Sequence, residues 1–135
     1  MSQAIITALL GGNQKTKLES LNTEGTALLS AVRTVSENSV DITLNVGSKL
    51  AVYLDVTAAS GTTPTLDVTV KAKDPVSGKY FSIGAFTQQT VVANEAIFIG
   101  GATDAEFAVK TFRVECAIGG GTPSFTFSVG YSATL

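Results

Sequence analysis

The sequence predicts an all-β fold, a single β-sandwich or jelly-roll-like domain of about eight antiparallel strands. Composition is the first observation, because the 135 residues include 18 threonines and 14 valines, which suit the pleated surface of a sheet. Period is the second, because apolar and polar residues alternate over most of the chain. Spacing is the third, because turn residues separate the alternating runs at intervals typical of sandwiches rather than βαβ units.

Residues 1–25 differ from the rest and are predicted to form an N-terminal arm. Their apolar side chains form a distal cluster, Ile5, Ile6, Leu9 and Leu10, and a proximal cluster, Leu18 and Leu21. In helical form the distal cluster makes one apolar stripe, but the segment is too short to be a stable helix alone. Two readings stay open, a first strand or disordered tail, and an arm that becomes ordered on another subunit. The distal cluster is the candidate partner-binding site.

The predicted β-sandwich domain covers residues 26–135. Clean alternation of apolar and polar residues runs through 40–46, 50–58, 65–73, 111–118 and 124–131, and weaker runs lie at 28–35, 80–86 and 95–99. Each clean run places one side in a core and the other toward a polar environment. Phe81 and Phe86 have opposite parity, as does Phe98 against its isoleucine neighbours, so these strands are expected to carry apolar side chains on both faces. Such strands mark a covered sheet or a subunit contact.

Turn residues separate the runs, and two of the turns are alike. Residues 58–70 resemble residues 117–129, since both read as a strand, a glycine-containing loop, Thr-Pro and an alternating strand. We interpret them as two equivalent hairpins. In the first hairpin, Val56 opposite Val68 is preferred to Val56 opposite Leu66, because that register keeps Asp55 away from Asp67. It also sets Tyr53 against Lys71.

The inventory of reactive side chains argues against an enzyme. The chain has no histidine, no tryptophan and one cysteine, so it lacks an imidazole base, a histidine metal ligand and an intramolecular disulfide. Its carboxylates are scattered, and Cys116 lies on the apolar side of its strand, as an inert core residue would. Nine lysines and arginines with a net charge of −2 argue against nucleic-acid binding. No cofactor, metal or catalytic residue is predicted.

Two local features admit a binding role beside a simpler one. Lys71, Lys73 and Lys79 surround the turn at 74–78 next to Tyr80, and this basic spot either contacts an anion or is a solvated turn, which is the preferred interpretation. Asp55 and Asp67 in the less favoured register would offer two carboxylates to Ca²⁺. Calcium needs several more oxygen ligands from one loop, and none is identifiable.

The low charge predicts a protein that works by contact. Only 15% of residues are charged, against about 25% in an average soluble protein. Either partners cover much of the surface, or threonine and serine coat a monomer. No apolar run reaches the roughly 18 residues that span a bilayer, so no membrane association is expected. The first residues lack a basic start and a cleavage site, so no signal peptide is expected and the unpaired cysteine agrees with synthesis in a reducing compartment.

Two stretches resemble a known group of proteins. Residues 54–80, LDVTAASGTTPTLDVTVKAKDPVSGKY, and residues 120–130, GGTPSFTFSVG, are similar to small β-sandwich virion proteins of tailed bacteriophages. The resemblance covers roughly residues 40–135 and carries over no active-site residue. It implies a particle component made in the host cytoplasm, which is either a head decoration (cement) protein or a minor capsid or tail component. A decoration protein of this group would form a homo-oligomer such as a trimer and would bind and stabilise the major capsid protein shell.

Two alternatives to a decoration protein remain. The first is a tail or tail-tube component of the same particle, which would form rings or polymers. The second is a carbohydrate-binding module on the virion surface or in a secreted enzyme. Sugar-binding sites use aromatic platforms, and without tryptophan the chain offers only Tyr53, Tyr80 and Tyr131, which makes that alternative a weak fit.

Overall fold

A computed structural model describes residues 23–100 and 108–134, and within them the chain is almost entirely strand. The elements are β1 (Thr23–Arg33), β2 (Glu37–Asn38), β3 (Ile42–Lys73), β4 (Tyr80–Ala85), β5 (Ala93–Ile99) and β6 (Val109–Thr134). In the described part of the chain no helix is long and apolar enough to cross a membrane.

The two long strands, β3 and β6, pair with each other and form the centre of the fold. Their partners run in opposite directions, from Leu50 opposite Ala133 to Val56 opposite Phe127 and on to Ala72 opposite Phe112, so the pair is antiparallel. On the outer sides, β1 and β2 pair with β6, whereas β4 and β5 pair with β3. Each half of each long strand therefore has a neighbour on both sides.

Both long strands bend at the same place. Gly61 and Gly120 have φ angles of 121° and 108°, and Thr63 and Thr122 follow them at 47° and 44°. These are left-handed conformations that glycine adopts at little cost and threonine rarely does. Thr62 lies opposite Gly121, so the two bends are side by side and form one corner. The similarity between residues 58–70 and 117–129 is thus a repeated bend.

The corner divides the sheet into two layers that pack face to face. The first layer contains β1, residues 121–134, residues 48–60 and β5; the second contains β2, residues 109–119, residues 65–73 and β4. The ring of Phe112 in the second layer meets the ring of Tyr131 in the first edge-on, with 5.4 Å between centroids. Such two-layer packing of antiparallel strands makes the fold a β-sandwich with a jelly-roll-like course.

The core lies between the layers and comes from the alternation seen in the sequence. Phe112, Phe125, Phe127 and Leu66 are completely buried, and the alternating residues of β3 and β6 complete the cluster. At about 25 cal/mol per Å² of apolar surface removed from water, burial of each phenylalanine stabilises the fold by roughly 2–3 kcal/mol. The predicted fold class and the predicted core faces of the clean runs at 50–58, 65–73, 111–118 and 124–131 are confirmed.

The predicted hairpins are wrong. Val56 lies opposite Phe127 and Ala93, and Val68 lies opposite Cys116, so Val56 and Val68 are not partners. Because β6 bends beside β3, each half of β3 pairs with β6 rather than with the other half. The predicted run at 50–58 and the run at 65–73 are consequently one continuous strand, as are the runs at 111–118 and 124–131. The described residues therefore form six long or short strands instead of about eight separate ones.

Most of the predicted N-terminal arm lies outside the described residues. The distal cluster, Ile5, Ile6, Leu9 and Leu10, and the proximal cluster, Leu18 and Leu21, all belong to that part of the chain. Strand β1 begins at Thr23, so the last three residues of the segment assigned to the arm lie in the sheet, opposite Ala133 to Tyr131. The division between an arm and a domain stays a prediction.

Candidate interaction surfaces

One lateral side of the sandwich, which we call the first edge, consists of β1, β2 and the residues that connect them to β3. In the described residues β1 and β2 pair only with β6, which leaves their other sides open. Four large apolar side chains are exposed here: Leu29, Val32, Val35 and Val40, with exposed fractions of 66–80%. An open strand edge with apolar side chains is a template for another chain.

Arg33 fixes the shape of the first edge. Its side chain is only 9% exposed, and its guanidinium lies 4.6 Å from the centre of the Phe127 ring. It donates to the carbonyl oxygens of Phe127 and Leu29 at 2.9 Å, and its Nε donates to Glu37 at 2.6 Å. Because these partners belong to β1, β2 and β6, Arg33 holds the two layers together where Val35 turns outward.

The opposite lateral side, which we call the second edge, consists of β4, β5 and the connection between them. Within the described residues β4 and β5 pair only with β3. Phe81 is 57% exposed, and Val91 and Val92 are about as exposed on the connecting loop. Phe86 is buried at 6%, so the predicted opposite facing of Phe81 and Phe86 is confirmed. The sandwich thus carries apolar groups on both of its lateral sides.

The outer face of the first layer holds an apolar depression of about 390 Å³. A row of opposite residues crosses it, Phe98 on β5, Ala51 on β3, Ser132 on β6 and Glu24 on β1. Phe98 is 75% exposed while Ile99 is buried, which confirms the predicted two-faced strand. The Tyr53 hydroxyl is 2.8 Å from the Ser132 hydroxyl, and this hydrogen bond holds the Tyr53 ring toward the sheet. This face presents an aromatic side chain over small neighbours.

The outer face of the second layer is covered by a network of charged side chains. Lys73 Nζ lies 2.9 Å from Asp41, and the Tyr80 hydroxyl donates to the same carboxylate at 2.7 Å. The guanidinium of Arg113 lies 3.5 Å from the centre of the Tyr80 ring. Arg113 Nε and Lys71 Nζ both pair with Glu115, at 2.8 and 2.9 Å. Charge on this face is therefore neutralised by partners within the protein.

The network shifts the pKa values of its carboxyl groups. Hydrogen bonds from Lys73 and then Tyr80 hold the pKa of Asp41 below its ordinary value. Desolvation pushes the pKa of Glu115 upward, but the hydrogen bonds from Lys71 and Arg113 outweigh it, so the pKa is lowered. Both carboxylates are consequently charged near neutral pH and remain paired there.

Two of the three lysines of the predicted basic spot are engaged within the protein, which favours the interpretation as a solvated turn. Lys71 and Lys73 are in ion pairs, and Asp74 accepts hydrogen bonds from Val76 N and from the Ser77 N and hydroxyl, which closes the turn. The Tyr53–Lys71 contact does not form, because these residues lie in different layers. The cations that contact the Tyr80 ring are instead Lys73 and Arg113.

The structure also places the other residues that were considered for chemistry. Asp55 and Asp67 lie in different layers, and Asp67 accepts a hydrogen bond from Gln88, so they form no carboxylate pair. In the described part of the chain no three metal-ligating side chains come together. Cys116 is 3% exposed, as predicted, and burial raises the pKa of its thiol to about 12.

Two of the three tyrosines that the weakly fitting sugar-binding alternative would need are engaged in other contacts. Tyr131 packs edge-on against Phe112, and Tyr80 is covered by the guanidinium of Arg113. Only Tyr53, 44% exposed, presents its ring on a sheet face. Sequence reasoning assigned no role to Arg33, whose inward direction is hidden by two irregularities in the pairing of β1 between Thr26 and Ala31.

Comparison with known proteins supports the fold. No family model and no curated protein matches the chain. Among solved structures, that of infectious bursal disease virus Gx strain superposes with a TM-score of 0.57 at 12% identity, over 84% of this chain and 32% of the viral one. The VP2 subviral particle of infectious bursal disease virus gives 0.54 at 12% identity, over 84% and 32%. The chain thus shares its β-sandwich fold with part of a protein from these virus structures and spans about a third of that protein's length.

A carbohydrate-binding module is also similar, at a lower level. A mutant of a family 29 carbohydrate-binding module covers 83% of this chain and 92% of its own, with a TM-score of 0.41 and 10% identity. An overlap of this size supports neither a common fold nor a common ligand.

Proposed function

We propose that this protein is a non-enzymatic structural component of a virus particle, a decoration (cement) protein that binds the assembled head shell and stabilises it. The observation that carries the proposal is the exposure of large apolar side chains along both lateral edges of the sandwich. Exposed apolar side chains on an open strand edge promote aggregation of a free monomer, whereas in an assembly they can be buried against a neighbouring subunit.

The distribution of charge supports contact at the edges. Five described charged side chains pair with each other in the network on the outer face of the second layer, namely Asp41, Lys71, Lys73, Arg113 and Glu115. At the first edge, Arg33 and Glu37 form an internal ion pair beside Leu29, Val32 and Val35, and the exposed Glu24 lies near the start of β1. Burial of the apolar side chains favours contact at this edge, and desolvation of Glu24 and Glu37 opposes it.

The fold supports the same proposal at a coarser level. The structures that share this β-sandwich are described as those of a virus and of a subviral particle. At 12% identity this likeness concerns architecture alone, so it favours a viral structural role without selecting a bacteriophage, a head or a tail. The head location in our proposal comes from the sequence resemblance to tailed-phage virion proteins.

The opposite positions of the two apolar edges support a ring of identical copies, and the choice of three copies comes from the sequence resemblance. A contact between the first edge of one copy and the second edge of the next uses both surfaces, and repetition of such a heterologous contact closes a ring when the rotation fits. Three copies in a ring would hide Val32 and Phe81 from water in every copy. The outer charged network extends from Asp41 at the first edge to Tyr80 at the second, and its central pairs around Glu115 would face solvent.

Stabilisation of a shell by such a trimer follows from additive burial. A stable contact between proteins buries about 1,200–2,000 Å² in total. A trimer that touches several shell subunits gains affinity through multivalency, because its second and third contacts form at high effective concentration. Opening of the shell would then require loss of many contacts at once.

The direct test is the composition and architecture of the intact particle. Mass spectrometry of purified virions should find this chain in many copies, and a cryo-EM map should place its sandwich on the head surface. Absence of the chain from the particle contradicts a virion role. A position on the tail contradicts the decoration role and favours the tail alternative.

Reconstitution tests the stabilising effect. Shells that lack the protein should bind added protein to saturation and then withstand a higher temperature or a lower salt concentration before they open. Shells that bind the protein but open under unchanged conditions would contradict the cementing part of the proposal.

A further inference from the structure

The apolar depression on the outer face of the first layer lies next to the point where the N-terminal segment enters the sheet. Its floor and walls include Leu50, Ala51, Ala133 and the exposed ring of Phe98, and Glu24 of β1 belongs to its rim. The depression lies on the sheet face between the two lateral edges and takes Glu24 from β1 and Phe98 from β5. A tethered occupant whose attachment point lies at the rim has a much higher effective concentration than a free one.

The reach of the segment matches the size of the face. Phe98 and Glu24 are the two ends of a row that crosses four strands, which corresponds to about 14 Å at the usual strand separation. Leu21 and Leu18 precede Glu24 by three and six residues. In extended form these leucines reach about 10 and 20 Å from Glu24, so together they span the distance to Phe98.

We infer that the chain's own proximal cluster, Leu18 and Leu21, packs into this depression against Phe98. The contact fixes the base of the N-terminal segment on its own domain. It leaves the distal cluster, Ile5, Ile6, Leu9 and Leu10, free to engage a partner from a defined starting point. The inference does not depend on the particle, because the contact is within one chain.

The chain offers a clean probe because it contains no tryptophan. Phe98→Trp in the full-length protein places a single indole in the depression. We expect blue-shifted emission and protection from acrylamide quenching, and we expect both to be unchanged on dilution. Leu18→Ser with Leu21→Ser in the same background should shift the emission to the red and raise quenching to that of a Val76→Trp control, since Val76 is 93% exposed on a turn.

A matched variant separates the two clusters. Ile5→Ser with Leu9→Ser removes similar apolar surface from the same segment and should leave the indole protected. Protection that survives loss of Leu18 and Leu21, protection that disappears with the distal cluster, or an indole that is exposed in the starting protein would each overturn the inference. Protection that falls on dilution would assign the depression to a second copy and would overturn it too.

A second probe guards against disturbance by the indole. Cys116 is buried with a pKa of about 12 and is the chain's one cysteine, so a new thiol at position 98 reacts on its own. Phe98→Cys should react slowly with a maleimide in the otherwise native chain and several-fold faster with Leu18→Ser and Leu21→Ser. Equal rates in the two backgrounds would contradict the contact, and circular dichroism should show the same sheet content in both.

Discussion

The two layers of the sandwich are alike inside and different outside. Both bury an unbroken set of apolar residues, but the second layer covers its outer face with paired charges while the first presents Phe98 and Tyr53 over small side chains. The low overall charge is therefore not spread evenly over the molecule. The proposal assigns the outer face of the second layer to water and assigns the other face and the two edges to contact.

The largest change in stability should come from a substitution in the buried apolar core that lies between the two layers. Phe127→Ala should lower the free energy of unfolding by about 3–5 kcal/mol, because the ring is completely buried beneath Arg33. Phe98→Ala is the matched control on the outer face, where less than about 1 kcal/mol should be lost. Urea denaturation measures both. A loss for Phe127→Ala as small as that of the control would show that this residue does not hold the layers together.

Substitutions at the two edges should change the association of the copies rather than the stability of the fold. Val32→Lys at the first edge and Phe81→Lys at the second should each dissociate the trimer, because either charge would be desolvated at a heterologous contact. An equal mixture of the two variants should form dimers, since each pair keeps one intact contact. Val76→Lys is the control, and analytical ultracentrifugation is the measurement. A wild-type monomer at all concentrations, or a mixture without dimers, would refute the ring.

Removal of the N-terminal segment should weaken particle binding by about tenfold or more, which is about 1.4 kcal/mol. The variant that lacks residues 1–20 retains every described strand, so its far-ultraviolet circular dichroism should match that of the full chain. Ile5→Ser with Leu9→Ser should reproduce most of the loss. Binding to shells by the truncated protein at full affinity would exclude the distal cluster as a docking site.

The smallest effect should come from the charged face. Glu115→Gln should cost less than about 1 kcal/mol at pH 7, because the paired side chains are partly exposed. The folded-state pKa of Glu115 is lowered, so its contribution is present above the ordinary value of 4.5 and is lost as the pH falls through the folded pKa. Urea denaturation should therefore show a difference between the variant and the wild type at neutral pH that shrinks in acid. A constant difference would mean that the charge of Glu115 is not its source.

The facing of residues could be predicted from the sequence because it is a local property. Alternation with a period of two decides which side chain of a strand points inward, and Phe127 and Cys116 follow it. Strand pairing is not local. Val56 pairs with Phe127, which lies far away in the sequence. The turn residues at 60–64 are equally compatible with a hairpin and with a bend in one strand.

The candidate surfaces were harder to predict for the same reason. The exposure of Phe81 and Phe98 followed from parity, but their positions on a lateral edge and an outer face depend on strand order. The inward direction of Arg33 depends on irregular pairing in β1, where simple alternation fails. Ion pairs such as Lys73 with Asp41 join residues that no short-range pattern brings together.

The shared corner has a consequence for how the protein folds. The β3–β6 ladder passes through the corner, and its pairs run from Ala72 opposite Phe112 to Leu50 opposite Ala133. Each layer therefore completes its central pair only after about 40 or more residues of intervening chain have been closed into a loop. Contacts this distant in sequence slow the search for the native state, and they tie the two layers into one cooperative unit. We expect the sandwich to form slowly and to open as a whole, so that a copy already seated in an assembly would rarely release one layer while keeping the other.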